Sequence, residues 1–387
     1  MREYEIISAV QQAKSLPELI ARLRSEGADP LTYDWAMRKY LESRARQKGV
    51  PVKGTFELTP LCNFDCRMCY VHLEAEKLRS CRLLTADEWE NIMSQAIDSG
   101  MMYATLTGGE CLTYPDFDRL YLYLHSRAVQ VSVLTNGLLL NAERIEFFKK
   151  HPPVTVQVTL YGADDDMYER VTGRRVFSSV RENIRNAVEA GIPVRISLTP
   201  TVHLTMEENE QVMKLASSFG TDFQVNGGLI SPRAETDKSE GFRDMGVEEY
   251  IRLFKLERSL KGYLPPEECV TDLPPVNTVT DETAPKGLRC GGGRSVFNVT
   301  WEGKLVPCNR LIHISSELMK ESFASAWQKI HERVMEYRVP AECDKCHLRE
   351  CSKGCVADHA DAPEGHASPE QCKWCKAMAK SGLGKIL

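Results

Sequence analysis

The sequence predicts an α/β fold with a mostly parallel sheet, on three observations. Six short β-rich runs lie between residues 54 and 230: "GTFELTP", "YATLT", "VQVSVLT", "VTVQVTL", "VRISLTP" and "DFQVNGGL". Helical stretches separate them, long enough for the right-handed crossovers that join parallel neighbours. Beyond residue 290 the pattern breaks: a hairpin-like run comes first, and residues 343–375 are cysteine-dense with little apolar content. Six such strands build either an open doubly wound sheet or a barrel short of the usual eight strands.

Along the chain, residues 5–47 place Ile6, Ile7, Val10, Leu16, Leu19, Ile20 and Leu23 among many charges, the spacing of two or three amphipathic helices. Residues 85–99 open on the capping box "TADE", and Pro115 in "PDFDRLYLYLHSR" suits a first helical turn. A helix is expected near residues 247–260, followed by the proline-rich connection "GYLPPEECVTDLPPVNTVTDETAPKG". "RSVFNVTWEGKLVPC" alternates as a hairpin turning at Glu302-Gly303. The division expected from these features is a helical region over residues 1–50, a barrel core over 51–235, a helix and linker over 236–289, and a cysteine-rich domain over 290–387.

Bulk properties exclude some functions. A net charge of −5 and only short mixed stretches such as "RKYLESRARQK" provide no field for nucleic acid. No apolar run reaches membrane-spanning length, and the charged start "MREYEIISAV" is unlike a signal peptide, so the cytoplasm is the expected location. In that reducing compartment 14 cysteines point to metal rather than to disulfides.

In either architecture, ligands bind where the strands end. "TPLCNFDCRMCY" follows the first strand, "TGGECL" the second, "TNG" the third and "TLYG" the fourth. The first of these carries Cys62, Cys66 and Cys69 on a loop that opens at Pro60. A structural zinc takes four protein ligands, whereas an iron–sulfur cube held by three thiolates leaves one iron open to a small molecule.

This spacing resembles the radical S-adenosylmethionine (SAM) enzymes, whose Cys-x3-Cys-x2-Cys motif after the first strand matches Cys62, Cys66 and Cys69. Gly108, Gly109 and Glu110 resemble that family's "GGE" segment. The resemblance implies a partial (β/α)6 TIM-like barrel with a [4Fe–4S] cluster on the three thiols. It further implies glycines that admit the methionyl part of SAM, a Glu110 carboxylate facing its ammonium, and Asn136, Thr159 and Arg195 at strand ends reaching SAM. Met68 stands where the family often has an aromatic residue before the third cysteine. The implied chemistry is reductive cleavage of SAM to a 5′-deoxyadenosyl radical that takes hydrogen from a substrate.

Downstream, the set Cys290-x12-Gly303-x4-Cys308, Cys343-x2-Cys346-x4-Cys351-x3-Cys355 and Cys372 reads by spacing alone as a pair of zinc knuckles. Together with the upstream motif it resembles the SPASM extension, which implies two auxiliary [4Fe–4S] clusters: Cys290, Cys308 and Cys355 for the first; Cys343, Cys346, Cys351 and Cys372 for the second. Three clusters are thus expected in all. The first auxiliary set is one ligand short, and either a remaining cysteine (Cys81, Cys111, Cys269 or Cys375) closes it or the position stays open.

SPASM relatives modify ribosomally made peptides, so the expected activity is a peptide maturase forming a thioether or carbon–carbon crosslink or another oxidative modification. A peptide or protein substrate, an external electron donor such as flavodoxin or ferredoxin, and a separate leader-recognition protein are the implied partners. The rival enzymatic reading is an anaerobic sulfatase-maturing, formylglycine-generating enzyme. Those relatives carry aspartate directly after the cysteine of Gly-x4-Cys, where this chain has Asn309, and an amide is no carboxylate base. An iron–sulfur electron carrier would need no "GGE" loop, and a zinc-held peptide-binding scaffold no open three-thiol site.

Overall fold

The computed structural model describes residues 9–10, 12–71, 73, 75–228, 245–263, 290–338, 340–344, 346, 348, 355 and 366–383. The six expected runs are all strands: β1 (Lys53–Glu57), β2 (Tyr103–Thr107), β3 (Gln130–Thr135), β4 (Thr155–Leu160), β5 (Val194–Leu198) and β6 (Asp222–Val225). Each pairs in parallel with the next, in the order β6-β5-β4-β3-β2-β1. Three more strands continue beyond β1: β7 (Val296–Val299), β8 (Lys304–Val306) and β9 (Ser316–Glu317). Among the described residues no pairing joins β6 to β9, so the sheet is an unclosed, TIM-like partial barrel.

The expected hairpin forms, with Asn298 opposite Val306 and Val299 opposite Leu305. Its first strand also pairs in parallel with β1, Phe297 lying opposite Gly54, so the hairpin widens the barrel sheet itself. Crowding holds that seam. A side chain at Gly54 would come within 2.6 Å of the Phe297 ring.

Alternation along the strands gives the two faces different chemistry. Phe56, Leu106, Val133, Val156, Val158 and Ile196 are buried on the face that the helices cover. The opposite face presents Thr105, Thr107, Ser132, Gln157, Thr159 and Ser197, mostly half-exposed. An all-parallel sheet buried on both sides would read as continuous apolar runs. Here the polar positions leave a wettable inner wall.

The covering helices begin and end where local chemistry predicts. Ala86–Asp98 starts at Thr85, whose hydroxyl and the Glu88 carboxylate cap each other's backbone, worth about 1 kcal/mol. Phe117–Ser126 starts at Asp116, placing Pro115 one residue before the cap instead of inside the first turn. Near the N-terminus, Leu16–Ser25 and Pro30–Lys48 form a small separate core that buries Leu19, Leu23 and Ala36. The helix Val247–Leu260 is present, whereas the expected linker over 264–289 and the Ile6 and Ile7 positions lie outside the described residues. No helix among the described residues is long and apolar enough to cross a membrane.

Candidate active site

Loops after β1, β2, β3 and β4 meet at one end of the barrel. Gly109 N–H donates to the Thr59 carbonyl at 2.7 Å and Glu110 N–H to the Leu61 carbonyl at 2.8 Å, laying the glycine loop directly against the segment that leads into Cys62. A Cβ on Gly108 would stand 2.4 Å from the Thr59 carbonyl oxygen, and one on Gly109 2.4 Å from that of Leu61. Glycine is therefore required here for backbone against backbone within the chain.

Glu110 is 1% exposed, and its carboxylate turns inward. Oε1 accepts the Thr135 hydroxyl at 2.9 Å and the Leu112 N–H at 3.1 Å; Oε2 accepts the Asn136 N–H at 2.7 Å. Burial raises its pKa against the opposing pull of these bonds. The carboxylate thus ties the end of β3 to the β2 loop.

Asn136 follows β3 directly and is buried. Its Nδ2 donates to Asn63 Oδ1 at 2.6 Å and lies 3.8 Å from Cys62 Sγ, while its Oδ1 accepts the Leu138 N–H. Phe64 N–H also points at Cys62 Sγ, at 3.4 Å. On the far side of the loop, Asp65 and Arg67 donate their N–H groups to the Thr172 and Val171 carbonyls, and Arg174 donates to the Asn63 carbonyl. The three-cysteine loop is thereby clamped by the segments following β2, β3 and β4.

Within it the thiols face one another closely enough to interact. Burial, opposed by the Phe64 N–H, pushes the Cys62 pKa up to about 11, with Glu110 and Cys69 adding to the rise. Burial also raises Cys66 well above the ordinary thiol value, assisted by the charges of Cys69 and Cys62. Three adjacent thiolates would require positive charge, which iron can supply. Among the described residues, no set of three or more His, Cys, Asp or Glu side chains converges on a single ion-sized point. Thiolates on a cube each meet a different iron and do not need to converge. An all-sulfur donor set with amide and backbone N–H groups turned toward it fits an iron–sulfur cluster.

Thr159 sits on the inner face near the end of β4, opposite Ser197 of β5. Arg195 does not join it. It is the second residue of β5, registered with Gln157, and its exposed guanidinium donates to Asp222 at 2.8 Å. The expectation that Arg195 ends the fifth strand is corrected by that register, because side chains on one face recur every second residue and the inward position level with Thr159 is Ser197. Beside it, Asn226, just past β6, donates to Ser197 Oγ at 2.9 Å. The polar alternation of "VRISLTP" and "DFQVNGG" is the signal for this pair.

In the C-terminal region, the thiols of Cys290 and Cys308 interact, and Arg310 reaches Cys355 Sγ at 3.8 Å. Cys343 interacts with Cys372, Cys346 and Cys375, so Cys375 sits with the second set. Cys351 and Cys269 lie outside the described residues. Cys111 is fully buried and donates to the Leu134 carbonyl at 3.2 Å, and Cys81 borders Trp301.

Residues 56–216 match the Radical SAM superfamily. The subtilosin biosynthesis protein AlbA of Bacillus subtilis is 23% identical over 84% of this chain and 72% of its own length. The PqqA peptide cyclase of Bradyrhizobium diazoefficiens is 24% identical over 84% of this chain and 86% of its own. Streptococcus suis SuiB, solved with S-adenosylmethionine and also with its precursor peptide SuiA, shares the fold. In the former complex the TM-score is 0.65 at 17% identity, covering 91% of this chain and 85% of SuiB. Residues 56–216 thus carry a radical SAM region, and enzymes of that superfamily work with a [4Fe–4S] cluster and SAM. The two curated relatives are named for subtilosin biosynthesis and for cyclisation of the PqqA peptide.

Proposed function

We propose that the protein is a maturase of ribosomally made peptides, with Cys62, Cys66 and Cys69 holding the [4Fe–4S] cluster and leaving one iron to SAM. When bound, the cluster and SAM together supply a carbon radical strong enough to take hydrogen from an unactivated peptide position. The chain's own residues orient and shield. Asn136 steadies the Cys62 corner, while Glu110 fixes the β3 end. The inner-wall hydroxyls and amides of Thr159, Ser197 and Asn226 offer hydrogen bonds to the nucleoside and carboxylate groups of SAM.

Gly108 and Gly109 serve the same site by letting the β2 loop lie close to the cluster loop. Arg195 is left out, because its position and its ion pair with Asp222 set it apart from those groups. The observation that carries the reading is the three-thiol cup at the mouth of a polar-walled partial barrel, clamped from three sides.

The C-terminal cysteines are proposed to hold two auxiliary clusters, on Cys290, Cys308 and Cys355 and on Cys343, Cys346, Cys351 and Cys372. The domain divisions expected from the sequence are kept as part of this reading. A peptide substrate is supported by relatives whose names are those of peptide-processing proteins and by the complex of SuiB with its precursor peptide. The bond made is a thioether or carbon–carbon crosslink, or another oxidative modification, with electrons from an external carrier in the cytoplasm. Asn309 argues against the formylglycine reading. Its amide accepts from Asn298 Nδ2 and donates to the Tyr70 hydroxyl, so no carboxylate base stands there.

The test is anaerobic incubation of the reconstituted protein with SAM, dithionite and a small precursor peptide encoded beside its gene. The intact peptide mass should fall by two hydrogens, about 2 Da, per crosslink, since each bond formed removes two hydrogens from the substrate. An unaltered peptide, with SAM still consumed, would exclude that peptide class as substrate.

A further inference from the structure

Three aromatic rings stand behind the Cys66 corner of the cup. Phe64, between Cys62 and Cys66, packs edge-on to Tyr161 at 6.2 Å and to Tyr168 at 6.4 Å, and the two tyrosines are themselves perpendicular at 6.2 Å. Tyr161 directly follows β4, and Tyr168 lies on the helix Asp165–Thr172, whose last carbonyls hold the cysteine loop. The rings therefore have fixed orientations. The Tyr161 hydroxyl interacts with the Cys66 thiol and lies within electrostatic reach of Cys69 and Cys62.

Tyr168 is 0% exposed, and its hydroxyl has no hydrogen-bond partner among the described residues. The Tyr161 backbone lies near that oxygen but outside hydrogen-bond geometry, and the Cys66 thiol is among its electrostatic neighbours. A buried hydroxyl left unmatched keeps its desolvation penalty without compensation. Phenylalanine would fill the same space without that cost. The Tyr168 hydroxyl thus lies buried near the Cys66 thiol with no acceptor engaged among the described residues.

Resting on the reading that Cys66 is a cluster ligand, we propose that the hydroxyls of Tyr161 and Tyr168 donate hydrogen bonds to sulfur at the Cys66 corner of the cluster. The acceptor is the thiolate or the neighbouring sulfide. Hydrogen bonds to sulfur stabilise the more negative, reduced state of an iron–sulfur cluster more than the oxidised state, so they raise its reduction potential. Both tyrosines are positioning residues in this assignment. They ease electron entry before any peptide is bound.

The experiment compares Y161F, Y168F and the double variant with the parent, each anaerobically reconstituted without SAM and poised with mediators, reading the reduced cluster by electron paramagnetic resonance. Iron and sulfide content should match the parent, and the midpoint potential should move to more negative values in each single variant and further in the double. Thermal unfolding gives an independent reading. Y168F should leave the apo-protein as stable as the parent or more so, and should destabilise the cluster-loaded form.

An unchanged potential in the double variant at full cluster content overturns the proposal. So does an equal loss of stability in apo and loaded Y168F, because the hydroxyl would then have a partner within the protein. Full cluster content in Cys66→Ala, or none in the parent, would instead overturn the ligand assignment on which the proposal stands, and the proposal with it.

Discussion

Asn309 donates through Nδ2 to the Tyr70 hydroxyl at 2.9 Å, joining the residue after Cys308 to the residue after Cys69. Its other end accepts from the buried Asn298 on β7. One carboxamide thus spans the two cysteine loops. Asn309→Ala should leave Asn298 Nδ2 without this acceptor and lower stability by about 1–3 kcal/mol in chemical unfolding. Iron content should be retained, and peptide-independent SAM cleavage should survive, since no cysteine is touched. Loss of cleavage in a variant with full iron would place Asn309 in the SAM site itself.

Gly109→Ala should be far more damaging than a small side chain implies. Its Cβ would press on the Leu61 and Pro60 carbonyl oxygens at 2.4 and 2.6 Å, and neither is the yielding end of a flexible side chain. Backbone displacement of this kind costs about 1–3 kcal/mol, and it would move the approach to Cys62. The expected outcome is reduced iron per chain after reconstitution together with a lower melting temperature. Iron at the parent level would show that the cluster loop tolerates the shift.

Glu110 should resist even the isosteric change to glutamine. Two N–H groups and a hydroxyl converge on its two oxygens. A carboxamide must turn its NH2 toward at least one of them, leaving buried groups unmatched at a cost of about 1–3 kcal/mol. Denaturant unfolding of the apo-protein should register this loss. Unchanged stability would mean that the β3 tie is dispensable.

At acid pH, Glu321 provides a separate check on the joint between β9 and the helix Phe323–Met335. Hydrogen bonds from Lys329, Ser316 and Ser325 lower its pKa to about 2. A depressed carboxyl pKa contributes stability that is present above its unfolded value and is lost as pH falls through the folded one. The parent should therefore lose stability between about pH 4.5 and 2, and Glu321→Gln should show a shallower fall over that window. Parallel pH profiles would contradict the assignment.

Much of the molecule can be read from the chain alone because its strands are short, alternate with capped helices and end in unusual residues. "TADE" marks its helix start through a reciprocal cap that needs no tertiary context. The three cysteines, the glycine pair and Asn136 do meet at one mouth. Arg195 is misplaced because the run "VRISLTP" does not say where pairing begins, and a shift of one inward position separates it from Ser197. The parallel pairing of β7 with β1 is a contact across more than two hundred residues, and local periodicity carries no trace of it. Likewise, Glu110's inward turn depends on Thr135 and Asn136, which lie far from it in sequence. Tyr161 and Tyr168 look like ordinary core residues until the ring geometry sets them behind Cys66.

The central claim is that Cys62, Cys66 and Cys69 present an incompletely covered iron–sulfur cube to SAM. Its most direct test is 5′-deoxyadenosine release, measured by mass spectrometry after the anaerobically reconstituted protein meets dithionite and SAM, beside the Cys66→Ala variant. The account predicts formation of 5′-deoxyadenosine by the parent and none by the variant. Equal amounts from both, or none from a parent carrying its full complement of iron, would contradict it.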